Sequence, residues 1–213
     1  DTRTEEDVTR TEAIGEFPVV VWKDSMSKTI GAYACQSKGD DEYAITRGAQ
    51  DMNNLLGYNR SSFKGDQDPA LRVLMRSVKM LSGDQCILLE TPAGESQSNG
   101  DIESSIKQVQ GLFRTMRSDM ETNYNKRISA NHHVMPFIVR HAAGTMNREK
   151  IGTDGMTALE RLRGKEFKTE VLKIGECVWF LKPQSVGKDK LDPRWEQALF
   201  VGMREESGEI IMM

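Results

Sequence analysis

The apolar residues change their spacing along the chain, and each change marks an element. Residues 18–24, PVVVWKD, form a short β-branched run ending in the turn-like KDSMSK, and residues 30–36, IGAYACQ, repeat the strand pattern; together they predict a hairpin. Over residues 41–56 the spacing becomes helical through Tyr43, Ile45, Ala49, Met52 and Leu55/Leu56, with Gly57 as the stop. Pro69 opens a second helix, striped by Leu71, Leu74, Met75, Val78 and Leu81, and QCILL over 85–89 reads as a buried strand. The small and polar run TPAGESQSNG over 91–100 predicts a mobile loop. A long helix follows, with Ile102, Ile106, Val109, Leu112/Phe113, Met116 and Met120 on its apolar face, and another helix is predicted from about Met135 to Asn147.

From Val171 the period shortens again. VLKIGECVWFLKP, ALFVGMR and GEIIMM are β-like runs separated by Gly, Pro, Asp and Lys, the pattern of a small barrel. The predicted order is strand, strand, helix, strand, helix, strand, loop, helix, helix and an all-β tail, which indicates an α/β core with an appended module. The boundary falls near residues 164–170, giving a core over 1–165 and a module over 166–213. No internal repeat is present.

Composition changes this picture little, but charge does. The chain carries a net charge of −3, yet residues 1–100 hold 11 basic and 16 acidic side chains while residues 104–204 hold 18 and 11. Such an asymmetry suits an acidic metal-binding half joined to a basic half that faces DNA. No apolar run approaches the roughly 18 residues of a membrane-spanning helix. The opening DTRTEED has neither a basic nor an apolar leader region, so no secretory signal is expected, and the chain is expected to be an excised piece. Cys35, Cys86 and Cys177 lack any C-x-x-C spacing and are expected to be free thiols. His132, His133 and His141 have no partner at metal-ligand spacing and are expected to serve packing or the surface.

Two carboxylates stand out. Asp66 lies in KGDQDPA at the expected end of a strand, and Glu103 lies in QSNGDIESSIK on the first turn of the long helix, with 36 residues between them. Carboxylates brought together from a strand end and a helix start are suited to Mg²⁺, an oxygen-seeking ion. Glu103, Lys107, Gln110 and Arg114 share a helix face opposite the Ile106, Val109 and Phe113 stripe; this is either a phosphate grip beside a metal or an ordinary solvated face. In the tail, Lys182, Lys188, Lys190 and Arg194 gather around Trp179 and Trp195, a mixture suited to phosphates and equally to a solubilising surface. Trp179 alternates with Val178 and Phe180, so either the core or a contact surface is open to it.

The local words sharpen this. QSNGDIES resembles the stretch of retroviral and copia-type retrotransposon integrases in which Gln-Ser, a polar residue and Gly precede the catalytic Glu. GDQDPAL resembles that family's strand-end Asp, and KDSMSKT with YACQSKG resembles its second hairpin. VLKIGECVWFLKP with KDKLDPRWEQALFVG resembles the region after the core, and the resemblance spans residues 18–213. It implies an α/β fold with a ribonuclease H-like mixed sheet flanked by helices, then a small SH3-like β-barrel module that binds DNA. It implies a catalytic and metal-binding triad of Asp1, Asp66 and Glu103, with Asp7 as the alternative first member and Asp24 as a turn residue, holding two Mg²⁺ or Mn²⁺ ions. It places Gln97, Asn99, Lys107 and Gln110 against DNA, and the basic and aromatic mixture of the tail adds Lys188, Lys190 and Arg194 as expected DNA contacts.

The implied activity is metal-dependent processing of DNA 3′ ends and their transfer into target DNA, by a homo-oligomer in the nucleus or a cytoplasmic particle. The zinc-binding His/Cys module that precedes the core in the family is expected to lie upstream of this piece. Two other readings stand beside it: a catalytically decayed integrase-derived domain that holds DNA or a scaffold partner, and a ribonuclease H acting on RNA–DNA hybrids.

Overall fold

The computed structural model describes residues 17–83, 86–90, 100–182 and 193–213. β1 (Val19–Lys23) and β2 (Ile30–Ala34) form the predicted antiparallel hairpin, in register from Val19 opposite Ala34 to Lys23 opposite Ile30. Asp24 closes its turn. One of its carboxylate oxygens accepts from the Ser27 amide at 2.6 Å, the Ser27 hydroxyl at 2.7 Å and the Tyr58 hydroxyl at 2.8 Å. Burial pushes this carboxyl up, but those bonds outweigh it and hold it below its ordinary range.

Asp41 caps α1 (Glu42–Gln50), which runs on as a π-helical turn over Asp51–Leu56. Gly57 ends it with φ 63°, a left-handed conformation that suits a residue without Cβ. β3 (Ser61–Gly65) and β4 (Cys86–Glu90) pair in parallel, joined by α2 (Pro69–Ser82), whose buried stripe is Leu74 and Val78; Leu81, predicted to share it, is 56% exposed. α3 (Gly100–Tyr124) and α4 (Met135–Glu149) are the two long helices. α5 (Ala158–Arg163) escapes the apolar period, although Thr157 and Glu160 make a reciprocal capping box at its start.

α4 is the centre of the molecule. Ile138, Val139, Ala142 and Ala143 are at most 3% exposed and pack with Ile30 and Ala32 of β2, Val109 of α3 and the residues of the tail. Asn147 stitches α4 to the hairpin: its Oδ1 accepts from the Ile30 amide and its Nδ2 donates to the Ile30 carbonyl, both at 2.8 Å and both buried. Asn147→Leu keeps the branching of the side chain but orphans both groups at ~1–3 kcal/mol each, so a stability loss of about 2–6 kcal/mol is expected in urea unfolding. A loss under about 0.5 kcal/mol would show that this bridge does not hold the hairpin.

In the tail, β5 (Cys177–Leu181), β6 (Trp195–Met203) and β7 (Ile210–Met212) form a three-stranded antiparallel sheet with an irregularity between Phe200 and Gly202. Ile174 and Val201 share one buried cluster with Met120, Val134, Met135 and Ile138, so the tail's inner end is continuous with the helical core. At its outer end Trp179, Leu181 and Trp195 are 62%, 55% and 57% exposed, which places Trp179 on the surface rather than in the core. Among the described residues the three sheets are separate units of two, two and three strands. Cys35 and Cys86 are buried free thiols and Cys177 is an exposed one, as expected.

Candidate functional site

The two Asp residues of GDQDP have different roles. Asp68 is the N-cap of α2, accepting from the amides of Ala70 at 2.7 Å and Leu71 at 3.2 Å, with Pro69 pre-set for the first turn. Asp66, just past the C-terminal end of β3, remains exposed and accepts from the Gln67 amide at 3.3 Å. It lines a small open cleft of about 140 Å³ with Gly65, Arg72, Met75 and Arg76 on one side and Leu88 and Leu89 of β4 on the other. C-terminal ends of parallel strands are where open α/β sheets present ligand sites.

Glu103 is exposed in the first turn of α3, where the helix dipole favours an acid. Its neighbour Asp101 acts structurally. An ion pair with Lys23 ties the start of α3 to the end of β1, and the hydrogen bond from Lys23 draws the Asp101 carboxyl below its ordinary range. Glu103, Lys107, Gln110 and Arg114 follow the solvent side of the helix, while Val109 is buried and Leu112, Phe113 and Met116 pack inward. The sequence-predicted face therefore exists, and over its 11 residue steps extends about 16 Å along the helix. Arg194, also exposed, stands beside Lys182, whose backbone amide donates to the Arg194 carbonyl at 2.9 Å.

Asp1, Asp7, Gln97, Asn99, Lys188 and Lys190 lie outside the described residues. Among the described residues no group of three His, Cys, Asp or Glu side chains could hold a metal ion, and the cleft beside Asp66 has no lining residue from α3. Asp66 and Glu103 are each accessible and offer carboxylate oxygens, the donor type that Mg²⁺ takes, but no described cleft joins them. His141 is buried and His132 and His133 are exposed.

A large charged cluster lies elsewhere, and no sequence motif announces it. The β6–β7 turn sets Glu205 and Glu206 against arginines from three helices. Arg148 donates to Glu205 at 2.6 Å, Arg47 donates to Glu206 at 2.8 Å, Arg140 stands 3.8 Å from Glu206, and Arg163 donates to both backbone carbonyls of the turn. Gly144 makes room for this: a Cβ there would collide with Glu205 Oε1 and lie 3.1 Å from the Arg148 guanidinium nitrogens. Beneath it, Arg47 also meets Asp51 at 3.2 Å, and Asp51 accepts from Tyr33, whose hydroxyl receives the Trp22 indole N–H at 2.6 Å. Burial pushes the Asp51 carboxyl up to about 6 despite these partners. Since the contributors lie up to 159 positions apart, no local spacing could have revealed them.

No family model and no curated protein matches the sequence. Solved structures do. A chain of the simian T-cell lymphotropic virus intasome, solved in complex with a PP2A regulatory subunit, is 14% identical with a TM-score of 0.53, over 92% of this chain and 69% of that one. The catalytic core domain of BIV integrase is 14% identical with a TM-score of 0.47, over 70% and 86%. At such identity the first likeness speaks to fold alone: the chain has an integrase-like mixed α/β fold. No described helix is long and apolar enough to cross a membrane.

Proposed function

We propose that this chain is the catalytic core and following β-module of an integrase-type polynucleotidyl transferase, which processes DNA 3′ ends and joins them to target DNA. The observation that carries the reading is the fold likeness to a chain of an intasome over 92% of the length. It agrees with the sequence words, since GDQDPAL falls at a parallel strand's end and GDIES, residues 100–104, at the start of a 25-residue helix. On this reading β1–β4, which pair as two separate two-stranded units, would be parts of a ribonuclease H-like core, and the tail would be an SH3-like module with its own boundary near residue 165. Asp66 and Glu103, with Asp1 or Asp7, would hold two Mg²⁺ or Mn²⁺ ions, which when bound activate the attacking oxygen and stabilise the leaving one. Lys107, Gln110, Gln97, Asn99, Lys188, Lys190 and Arg194 would hold the DNA backbone and end, in a multimer acting in the nucleus or a cytoplasmic particle.

A second reading is a decayed integrase-derived domain that binds DNA without chemistry; it keeps the exposed face of α3 through Lys107, Gln110 and Arg114 and does not need the carboxylates. Strand transfer of a short blunt duplex in Mn²⁺ separates the two. Asp66→Asn and Glu103→Gln are each expected to lose on the order of 100-fold or more in rate. Equal rates in all three proteins would remove the carboxylate assignment. No activity and no saturable Mn²⁺ binding in any of them would replace the enzyme with the DNA-binding module.

A further inference from the structure

Four arginines surround the β6–β7 turn, and more of their donors than of the turn's acceptors are left over. Arg47, Arg140, Arg148 and Arg163 converge from α1, α4 and α5, and the turn offers two carboxylates and two carbonyls. Among the described residues, Nε and Nη2 of Arg148, Nε of Arg47 and Nη2 of Arg140 are buried without a hydrogen-bond partner, against one such acceptor in the cluster, Oε2 of Glu206, which faces Nη2 of Arg140 at 3.8 Å; the Arg148 side chain is only 1% exposed. Orphaned guanidinium N–H groups are costly, so their concentration at one place points to an anion with more acceptor oxygens than a carboxylate. Glu205 and Glu206 are adjacent and engage separate arginines, Arg148 on one side and Arg47 with Arg140 on the other, in the way two successive phosphates would.

The turn itself is lightly held apart from these charges. Its backbone closes through Arg204 N to Glu209 O and Gly208 N to Arg204 O, both at 2.8 Å, and β7 beyond it is three residues long and largely exposed. The apolar anchor of the tail, Phe200 and Val201, lies upstream and need not move for the turn to swing away.

We propose that the Glu205–Glu206 turn is an internal acidic plug, seated in an arginine cradle that binds nucleic-acid backbone phosphates when the turn swings off it. The inference rests on the DNA-binding part of the function proposed above and adds a site, separate from Asp66 and Glu103, with a built-in competitor. The cradle and the plug exclude each other, so DNA binding and turn docking are coupled with opposite sign.

The full chain, kept free of divalent metal so that no chemistry intrudes, is titrated with a short fluorescein-labelled DNA duplex over a range of salt. Glu205→Gln with Glu206→Gln, which keeps an acceptor at each position, is expected to bind about tenfold more tightly and to steepen the salt slope by about 2. Adding Arg140→Gln and Arg163→Gln is expected to abolish the gain, while the same two-charge change at exposed Glu166 and Glu170 gives no more than about a twofold gain. In the unaltered protein, amides of residues 204–209 should exchange hydrogen faster with DNA than without it. Equal affinity of the wild type and the Glu205/Glu206 variant, a gain that survives the arginine changes, or slower exchange in the turn would overturn the plug while leaving DNA binding intact. No duplex binding by any version would overturn the proposed function and the plug together.

Discussion

Arg148→Ala is expected to destabilise the fold by about 3–5 kcal/mol, the range for removing one partner of a buried ion pair. Arg148 sits in the last turn of α4, its guanidinium 5.8 Å from the centre of the Phe167 ring, and it donates to Glu205, whose side chain is 13% exposed. Removing it leaves a carboxylate enclosed beside Gly144 without the guanidinium that faces it. The pair itself is not a net source of stability on that account. Arg148→Met combined with Glu205→Met takes away both desolvation costs, and the double variant is expected within about 1 kcal/mol of wild type. Urea unfolding of the two singles and the double checks this. A single variant as stable as wild type would mean that the turn is not seated on α4.

The second large effect concerns pH, and it arises from two buried groups that oppose each other. Burial, with Arg148 nearby, lowers His141 from 6.5 to about 4; its ring meets Phe200 edge-on at 5.5 Å, and its Nδ1 has no hydrogen-bond partner among the described residues. Below about pH 6.5 the unfolded chain takes up a proton that the folded His141 refuses, so this group removes stability as pH falls toward 4, by up to ~3 kcal/mol. Asp51 acts in reverse. Its folded carboxyl titrates at about 6 against an ordinary 3.8, so the folded state holds a proton that the unfolded one releases, and stability rises as pH falls through that window, again by up to ~3 kcal/mol. Between about pH 6 and 4 the two nearly cancel.

The variants should separate them. Relative to wild type, Asp51→Asn is expected to lose stability as pH drops from 6 to 4, because only the His141 contribution remains. His141→Phe is expected to gain over the same interval, because only the Asp51 contribution remains. Denaturant unfolding at several pH values gives both slopes, and parallel profiles for all three proteins would show that neither group titrates as its surroundings dictate.

The hairpin, the helix from Pro69, the long helix after the polar loop and the strands of the tail were all legible in the sequence, because period and turn chemistry are local properties. The split of α3 into a solvent face through Glu103, Lys107, Gln110 and Arg114 and a packed face through Val109 was legible for the same reason. α5 carried its own signal in the T-x-x-E capping box ahead of Gly164, and apolar periodicity missed it because six residues are less than two turns. Charge was partly legible. The excess of basic residues over 104–204 is real, but Arg140, Arg148 and Arg163 are engaged by Glu205 and Glu206, the two acids that follow that window. Which positive charges face solvent and which are consumed inside the molecule is set by contacts between residues far apart in the chain. The same holds for the exposure of Trp179 and the depression of His141. Pattern fixes which face of a helix or strand is apolar; only tertiary packing decides what that face meets, and the electrostatics of a buried group follow from what it meets.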